Sequence, residues 1–189
     1  MRIISGKCKG RKLSRISGRN IRPTSDRIRE AIFNIIAEKI KGAVVLDLFA
    51  GTGAFGLEAL SRGADYAFFI DISDYALNIV KSNIKKCNFD NNTKVIHQDV
   101  LQSDYHFTQV DRKPDIVFMD PPYHCGLIEK TLSQLGLLDL LSDRALIIAE
   151  HSRKDKITGP FSGLDIIDQR KYGRTFVSFF EKRKKQKAL

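Results

Sequence analysis

Residues 44–56, Val-Val-Leu-Asp-Leu-Phe-Ala-Gly-Thr-Gly-Ala-Phe-Gly, decide the fold. The apolar run 44–49 reads as a strand. Gly51, Gly53 and Gly56 then form a turn into a helix over 54–62. Glycine lets the backbone turn sharply and lets a ligand approach it closely. Outward from this unit, strand-like runs recur at 66–71, 94–97, 115–119 and 144–149, with helical stretches at 74–87 and 126–135 between them. Strands alternating with helices imply an open parallel sheet covered on both faces. The last two strand-like runs, 163–169 and 175–181, are joined by a link too short for a parallel crossover, so they pair antiparallel. Upstream, Pro23-Thr24 opens a helix with Thr24 as its cap. Ile28, Ala31, Ile32, Ile35 and Ile36 give it one apolar face, and Gly42 ends it.

A chain of 189 residues, 42% hydrophobic and 29% charged, can bury one core and stay in solution. It contains no run of about 18 apolar residues, so no membrane span is expected. The start, MRIISGKCKG, lacks the apolar stretch of a signal peptide, which points to the cytoplasm. Cys8, Cys87 and Cys125 are odd in number and far apart, as free thiols would be. His97, His106, His124 and His151 show no metal-ligand spacing, so metal-free chemistry is expected.

The net charge of +10 is segregated: residues 1–30 carry +8, residues 170–189 carry +7, and the middle is slightly acidic. Charge placed this way suits a polyanion, because each neutralised phosphate releases counterions. Lys7, Lys9, Arg11, Lys12 and Arg15 interleave with glycines and short apolar pieces. Residues 1–22 therefore read as a small basic hairpin or arm preceding the body at 23–189.

A G-x-G-x-x-G turn alone would equally suit a dinucleotide. Asp47, four residues ahead of Gly51, tilts the choice. A carboxylate there repels a pyrophosphate but binds, directly or through water, the ammonium of an amino-acid moiety such as that of S-adenosylmethionine. Asp71 closes the second strand about 20 residues past the turn, where an acid binds ribose hydroxyls. Asp99 closes the third and can accept from an adenine amine. For both, a helix cap or an Asx turn is the structural alternative.

The most specific feature is Asp120-Pro121-Pro122-Tyr123. Paired prolines fix φ and remove two backbone donors, leaving carbonyls as acceptors. A carboxylate, a carbonyl and an aromatic plane, stiffly held, match a planar base bearing an exocyclic amine. Hydrogen bonds that draw the amine toward tetrahedral geometry free its lone pair for attack on a sulfonium methyl. Ligands of open parallel sheets lie beyond the strand C-termini where strand order reverses. A fourth strand beside the first would put this corner next to the glycine turn.

VLDLFAGTGAFGLEALSRGA (45–64) with DIVFMDPPY (115–123) resembles the S-adenosylmethionine-dependent methyltransferases of exocyclic base amines. MRIISGKCKGRKL (1–13), IRPTSDRIREAIFNII (21–36) and KYGRTFVSFFEKR (171–183) are similar to the bacterial RsmD family, which methylates N2 of a guanine in 16S ribosomal RNA. The resemblance spans nearly the whole chain. It implies a Rossmann-like, seven-stranded α/β methyltransferase sheet of order 3-2-1-4-5-7-6, mostly parallel with the last strand antiparallel. It implies S-adenosylmethionine contacts from Asp47, Phe49, Gly51, Gly53, Asp71, Ile72, Asp99 and Val100. It implies target-amine contacts from Asp120, Pro121, Pro122 and Tyr123, where relatives with Phe in place of Tyr123 make the ring, not the hydroxyl, the active part. RNA contacts from the basic arm, with Arg22 and Thr24 near the crevice, follow too. The implied partner of this cytoplasmic monomer is 16S ribosomal RNA, naked or in a small-subunit assembly intermediate.

Other readings remain open on the motifs alone. Asp-Pro-Pro-Tyr serves any exocyclic amine, so a DNA adenine-N6 or cytosine-N4 methyltransferase fits, although 189 residues leave little room for a base-recognition domain. A nicotinamide-dependent oxidoreductase would leave Asp47 and residues 120–123 without a task. A non-catalytic RNA-binding assembly factor on the same fold is the alternative outside enzymology.

Overall fold

The computed structural model describes residues 1–16, 25–101, 109–122, 126–137, 139–153, 155, 157, 161 and 163–183. In chain order the elements are α1 (Asp26–Ile35), α2 (Ala37–Ile40), β1 (Val44–Leu48), α3 (Ala54–Ser61), β2 (Tyr66–Asp71), α4 (Asp74–Cys87) and β3 (Thr93–His97). Then follow β4 (Ile116–Met119), α5 (Leu127–Leu137), β5 (Leu146–Ser152), β6 (Leu164–Tyr172) and β7 (Thr175–Lys182). The seven strands form one sheet of order β3-β2-β1-β4-β5-β7-β6, as the resemblance implies. Pairings are parallel from β3 through β5 and antiparallel from β5 through β7 to β6. Strand order reverses between β1 and β4, and the crevice belongs at that seam.

The central strands are apolar on both faces because both faces are covered. Val45, Phe69, Phe118 and Ile148 pack into one core with α1 and α3. Leu46, Phe68, Met119 and Ala149 pack into the other with α5. Ser25, not Thr24, caps α1: its hydroxyl accepts from the Ile28 N–H at 3.2 Å. Because helical geometry begins at Asp26, the cap position falls one residue later than expected, and Thr24 lies outside the described residues. The helix also stops short of Gly42. Ile36 departs from helical angles (φ −99°, ψ 13°) and divides it into α1 and α2.

Residues 1–13 fold back on themselves through one antiparallel bridge, Arg2 to Lys12, not a strand ladder. What holds them is the helical layer. Ile3, Cys8 and Leu13 are buried in the same core as α1 and α3. The fully buried Glu58 of α3 accepts from the Ile4 and Ser5 amides at 2.7 and 3.0 Å and pairs with Arg62 at 2.8 Å. Gly6 adopts φ +80°, and a Cβ there would stand 1.8 Å from the Ser61 carbonyl oxygen. Only glycine fits that approach. Cys8 donates from Sγ to the Cys87 carbonyl at 3.4 Å, and both thiols are free. Arg29 is fully buried and donates from Nη2 to the Arg2 carbonyl and to Asp26.

Orientation matters for function. Ser61 and Cys87 end α3 and α4, so the bend at Gly6–Cys8 lies at the edge of the sheet where the parallel strands begin. Met1, Ser14 and Ile16 reach the opposite edge, at the glycine turn. Thr52 donates from Oγ1 to Met1 Sδ at 3.3 Å, and Ile16 Cδ1 lies 3.8 Å from where a Gly51 Cβ would be.

Candidate active site

The turn after β1 is built from strained backbone. Phe49, Gly51 and Gly53 have φ of 59°, 56° and 74°. The left-handed region suits glycine but is costly for a bulky side chain such as Phe49, by roughly 1–3 kcal/mol. Strain of this kind persists only where surroundings over-determine it. Here Gly51 N–H donates to Asp71 Oδ2 at 2.9 Å and Gly56 N–H donates to Asp47 Oδ2 at 3.0 Å. Asn83, wholly buried on α4, donates from Nδ2 to the Thr52 carbonyl at 2.9 Å. The same amide exchanges two bonds with Ser14, accepting from its N–H at 2.7 Å and donating to its carbonyl at 3.2 Å. Gly56 packs flat on β2; a Cβ would sit 2.4 Å from the Phe69 ring.

Asp47 is 3% exposed. Burial pushes its carboxyl well above the usual carboxylate range, Asp120 and Asp71 push it further, and the Gly56 N–H pulls the other way. Asp47, on β1, and Asp120, just after β4, lie on either side of the β1–β4 seam, where Leu48 is in register with Met119. Asp120 is half-buried, Pro121 buried and Pro122 exposed; Tyr123 lies outside the described residues.

Asp71 is partly exposed and spends each oxygen on the backbone, Oδ2 on Gly51 and Oδ1 on the Ser73 N–H at 2.9 Å. Ile72 beside it is 62% exposed, an apolar surface at the mouth of the site. Asp99 accepts from the Leu101 N–H at 2.9 Å, the Asx turn that the sequence allowed, and Val100 is buried. Asp71 ends β2, Asp47 is the penultimate residue of β1 and Asp120 follows β4, three adjacent strands, with Asp99 one strand beyond.

The basic residues are not brought together. Lys7 and Lys9 flank the bend at the far edge of the sheet. Arg11 lies near Cys87 at the end of α4: the Cys87 thiol is pushed up to about 12 by burial first and by Cys8, while Arg11 and Lys86 pull it down. Lys12 pairs midway along the segment, and Arg15 stands between Ser14 and Ile16 at the glycine turn. Arg22 and Thr24 lie outside the described residues.

Two residues escaped the sequence reading. Asn83 is a polar residue at the buried spacing of α4 (Ala76, Val80, Asn83, Cys87), and that interruption was the available signal. Glu150 closes the apolar run of β5 just as Asp47, Asp71 and Asp120 close theirs. It is 4% exposed, and since Ala149 pairs with Met119, Glu150 stands beside Asp120.

Three comparisons bear on this geometry. The family model described as "Conserved hypothetical protein 95" matches residues 1–181. The Escherichia coli (strain K12) protein named ribosomal RNA small subunit methyltransferase D is 39% identical over 150 residues, covering 79% of this chain and 74% of that one. Bacillus subtilis YlbH, assigned as an rRNA methyltransferase, is 34% identical over 183 residues, 97% of this chain and 100% of its own. Among solved structures, Escherichia coli yhhF, assigned as a methyltransferase, superposes with a TM-score of 0.83 at 30% identity, covering 97% of this chain and 98% of that one. With the family model spanning nearly all of the chain and the sheet order matching, this protein belongs to the Conserved hypothetical protein 95 family, the RsmD family of methyltransferases.

Proposed function

We propose that this chain transfers a methyl group from S-adenosylmethionine to the exocyclic N2 of a guanine in small-subunit (16S) ribosomal RNA. One observation carries the reading: the acidic-proline corner after β4 and the glycine turn after β1 occupy neighbouring strand ends, with Leu48 in register with Met119. The names of the relatives support the RNA substrate.

The residues fit the cofactor. Among the described residues, a Cβ at Gly51 would touch Ile16 and the Phe49 carbonyl at 3.8 Å and nothing nearer, which supports an open face of the turn for a ligand. Asp71 accepts from the Gly51 N–H, Ile72 beside it is an exposed apolar surface, and Asp99 follows β3 two strands from β1, which supports carboxylates for the hydroxyls and the amine of the cofactor. Asp47 is buried and acts on the ammonium through water or as a field, and a cation there offsets the cost of its charge. Bound in this place, the cofactor supplies an electrophilic methyl on a sulfonium.

The chain's own residues do the rest. Asp120 and the Pro121 carbonyl accept the two N–H bonds of the target amine, and the Tyr123 ring stacks on the base. Pro121 and Pro122 have no N–H to compete for those acceptors. The amine nitrogen gains the methyl and loses one proton to Asp120 or solvent. Residues 1–22 act as an RNA-contact arm on the catalytic body at 23–189, with Arg15 nearest the turn. The test is transfer of labelled methyl into small-subunit RNA lacking the modification, followed by nucleoside mass spectrometry. N2-methylguanine is the expected product; a methyl on another base, or none, refutes the reading.

A further inference from the structure

The excess positive charge of the C-terminal region has no task in the account above, and the topology supplies one. β7 runs antiparallel to β5, with Thr175 paired to Ser152 and Phe176 to His151. β5 is parallel to β4, with Ala149 beside Met119, so Ser152 lies at the catalytic edge of the sheet. The β6–β7 turn is therefore at the same edge as Asp120, two to three strands away, about 10–14 Å sideways, and it stands about 10 Å beyond the end of β4. Gly173, at φ +64° and with open space around it, makes the turn tight.

Lys171 and Arg174 flank that glycine, both exposed, and neither makes an ion pair among the described residues. Arg170 is different, since Asp168 holds its guanidinium at 2.7 Å. Lys7 and Lys9, by contrast, sit at the other edge, about 16 Å away along a five-residue strand. A nucleotide held at Asp120 thus meets the turn before it meets the bend of the N-terminal segment.

We propose that Lys171 and Arg174 form a phosphate-binding surface for the RNA strand on the acceptor side of the crevice. This rests on the RNA-methyltransferase reading. Lys171 provides a compact charge and Arg174 a fork that pairs with phosphate oxygens. Neither touches the reacting base, so the pair acts on RNA capture and not on the methyl step.

The experiment compares wild type with the double variant Lys171→Ala/Arg174→Ala on unmodified small-subunit ribosomal RNA, measuring KM, kcat and the salt dependence of RNA affinity. The variant is expected to raise the KM for RNA about tenfold and flatten the salt slope by about 0.7–0.9 per lost contact. Its kcat at saturating RNA and its cofactor affinity stay within about twofold. Lys171→Arg/Arg174→Lys keeps both charges and so keeps the salt slope, with a KM between wild type and the alanine pair, and Lys7→Ala/Lys9→Ala changes KM less than the turn pair does. Both positions are exposed, so an unchanged Tm accompanies these effects. If wild type methylates the RNA while the alanine pair leaves KM and slope unchanged, the surface is overturned and the function reading stands. A larger effect from Lys7 and Lys9 overturns it as well. Wild type that neither binds nor methylates this RNA overturns both.

Discussion

Replacing Asn83 by alanine tests whether the glycine turn is held from below by α4. The buried amide makes three bonds, one accepted from the Ser14 N–H and two donated, to the Ser14 and Thr52 carbonyls. At about 0.5–1.5 kcal/mol each, their loss costs about 2–4 kcal/mol. For a chain of this size that corresponds to a fall in Tm on the order of 10 °C. The Phe49 backbone, at φ 59°, relaxes once Thr52 is released. Cofactor affinity then drops by about fivefold, the equivalent of roughly 1 kcal/mol of lost preorganisation. Urea denaturation gives the stability, and calorimetry with S-adenosylmethionine gives the affinity. Lys81→Ala on the exposed face of α4 serves as the reference and changes stability by less than about 0.5 kcal/mol. An Asn83→Ala protein that loses under about 1 kcal/mol, or that binds the cofactor as wild type does, refutes the tether.

Asp120→Ala should lower methyl transfer by about 10²–10⁴ with cofactor affinity within about threefold, because its acceptor is used on the amine; near-normal turnover removes Asp120 from the chemistry. Gly6→Ala should destabilise by more than Gly10→Ala. Both carry positive φ, but only the Gly6 Cβ meets backbone, and equal losses in denaturant titrations would contradict the docking of residues 1–13. Asp47→Asn should alter the pH dependence of stability. Burial raises the folded pKa of Asp47, so the folded state holds the proton more tightly and wild-type stability declines as pH rises through that value. The amide still accepts from Gly56 and removes this decline; parallel pH curves for the two proteins, measured without cofactor, would show that the Asp47 charge does not burden the fold.

The sheet was legible because its information is local. Five apolar runs separated by helical stretches specify a parallel sheet, and a five-residue link specifies the antiparallel pair at 164–182. The edge at which residues 1–13 dock was not legible, because it depends on contacts between residues some fifty positions apart. Gly6 against Ser61, and Ile4 and Ser5 on Glu58, leave no periodicity in the sequence. The charge count located a basic arm at 1–22, of which residues 1–16 are described, but not its direction. The structure turns that segment so that Arg15 faces the crevice side and Lys7 and Lys9 the far side.

For the site acids the sequence posed a choice, a ligand or a turn, that the geometry dissolves. Asp47 accepts from Gly56, Asp71 from Gly51 and Ser73, and Asp99 from Leu101, so each carboxylate has a backbone bond before any ligand arrives. A carboxylate oxygen has a second lone pair, and the backbone bond fixes where that lone pair points. In the proposed site the backbone bond is the means of orientation for a ligand contact by the same side chain. It follows that alanine at Asp47 or Asp71 removes the turn and the ligand contact together and reads as general damage. At Asp47, whose single backbone bond comes from Gly56, asparagine keeps the acceptor and removes only the charge; at Asp71 it accepts from one of Gly51 and Ser73 and sets an NH2 against the other. Loss of cofactor affinity in Asp47→Asn without loss of stability isolates the ligand contact, whereas an equal loss of both assigns Asp47 to the turn alone.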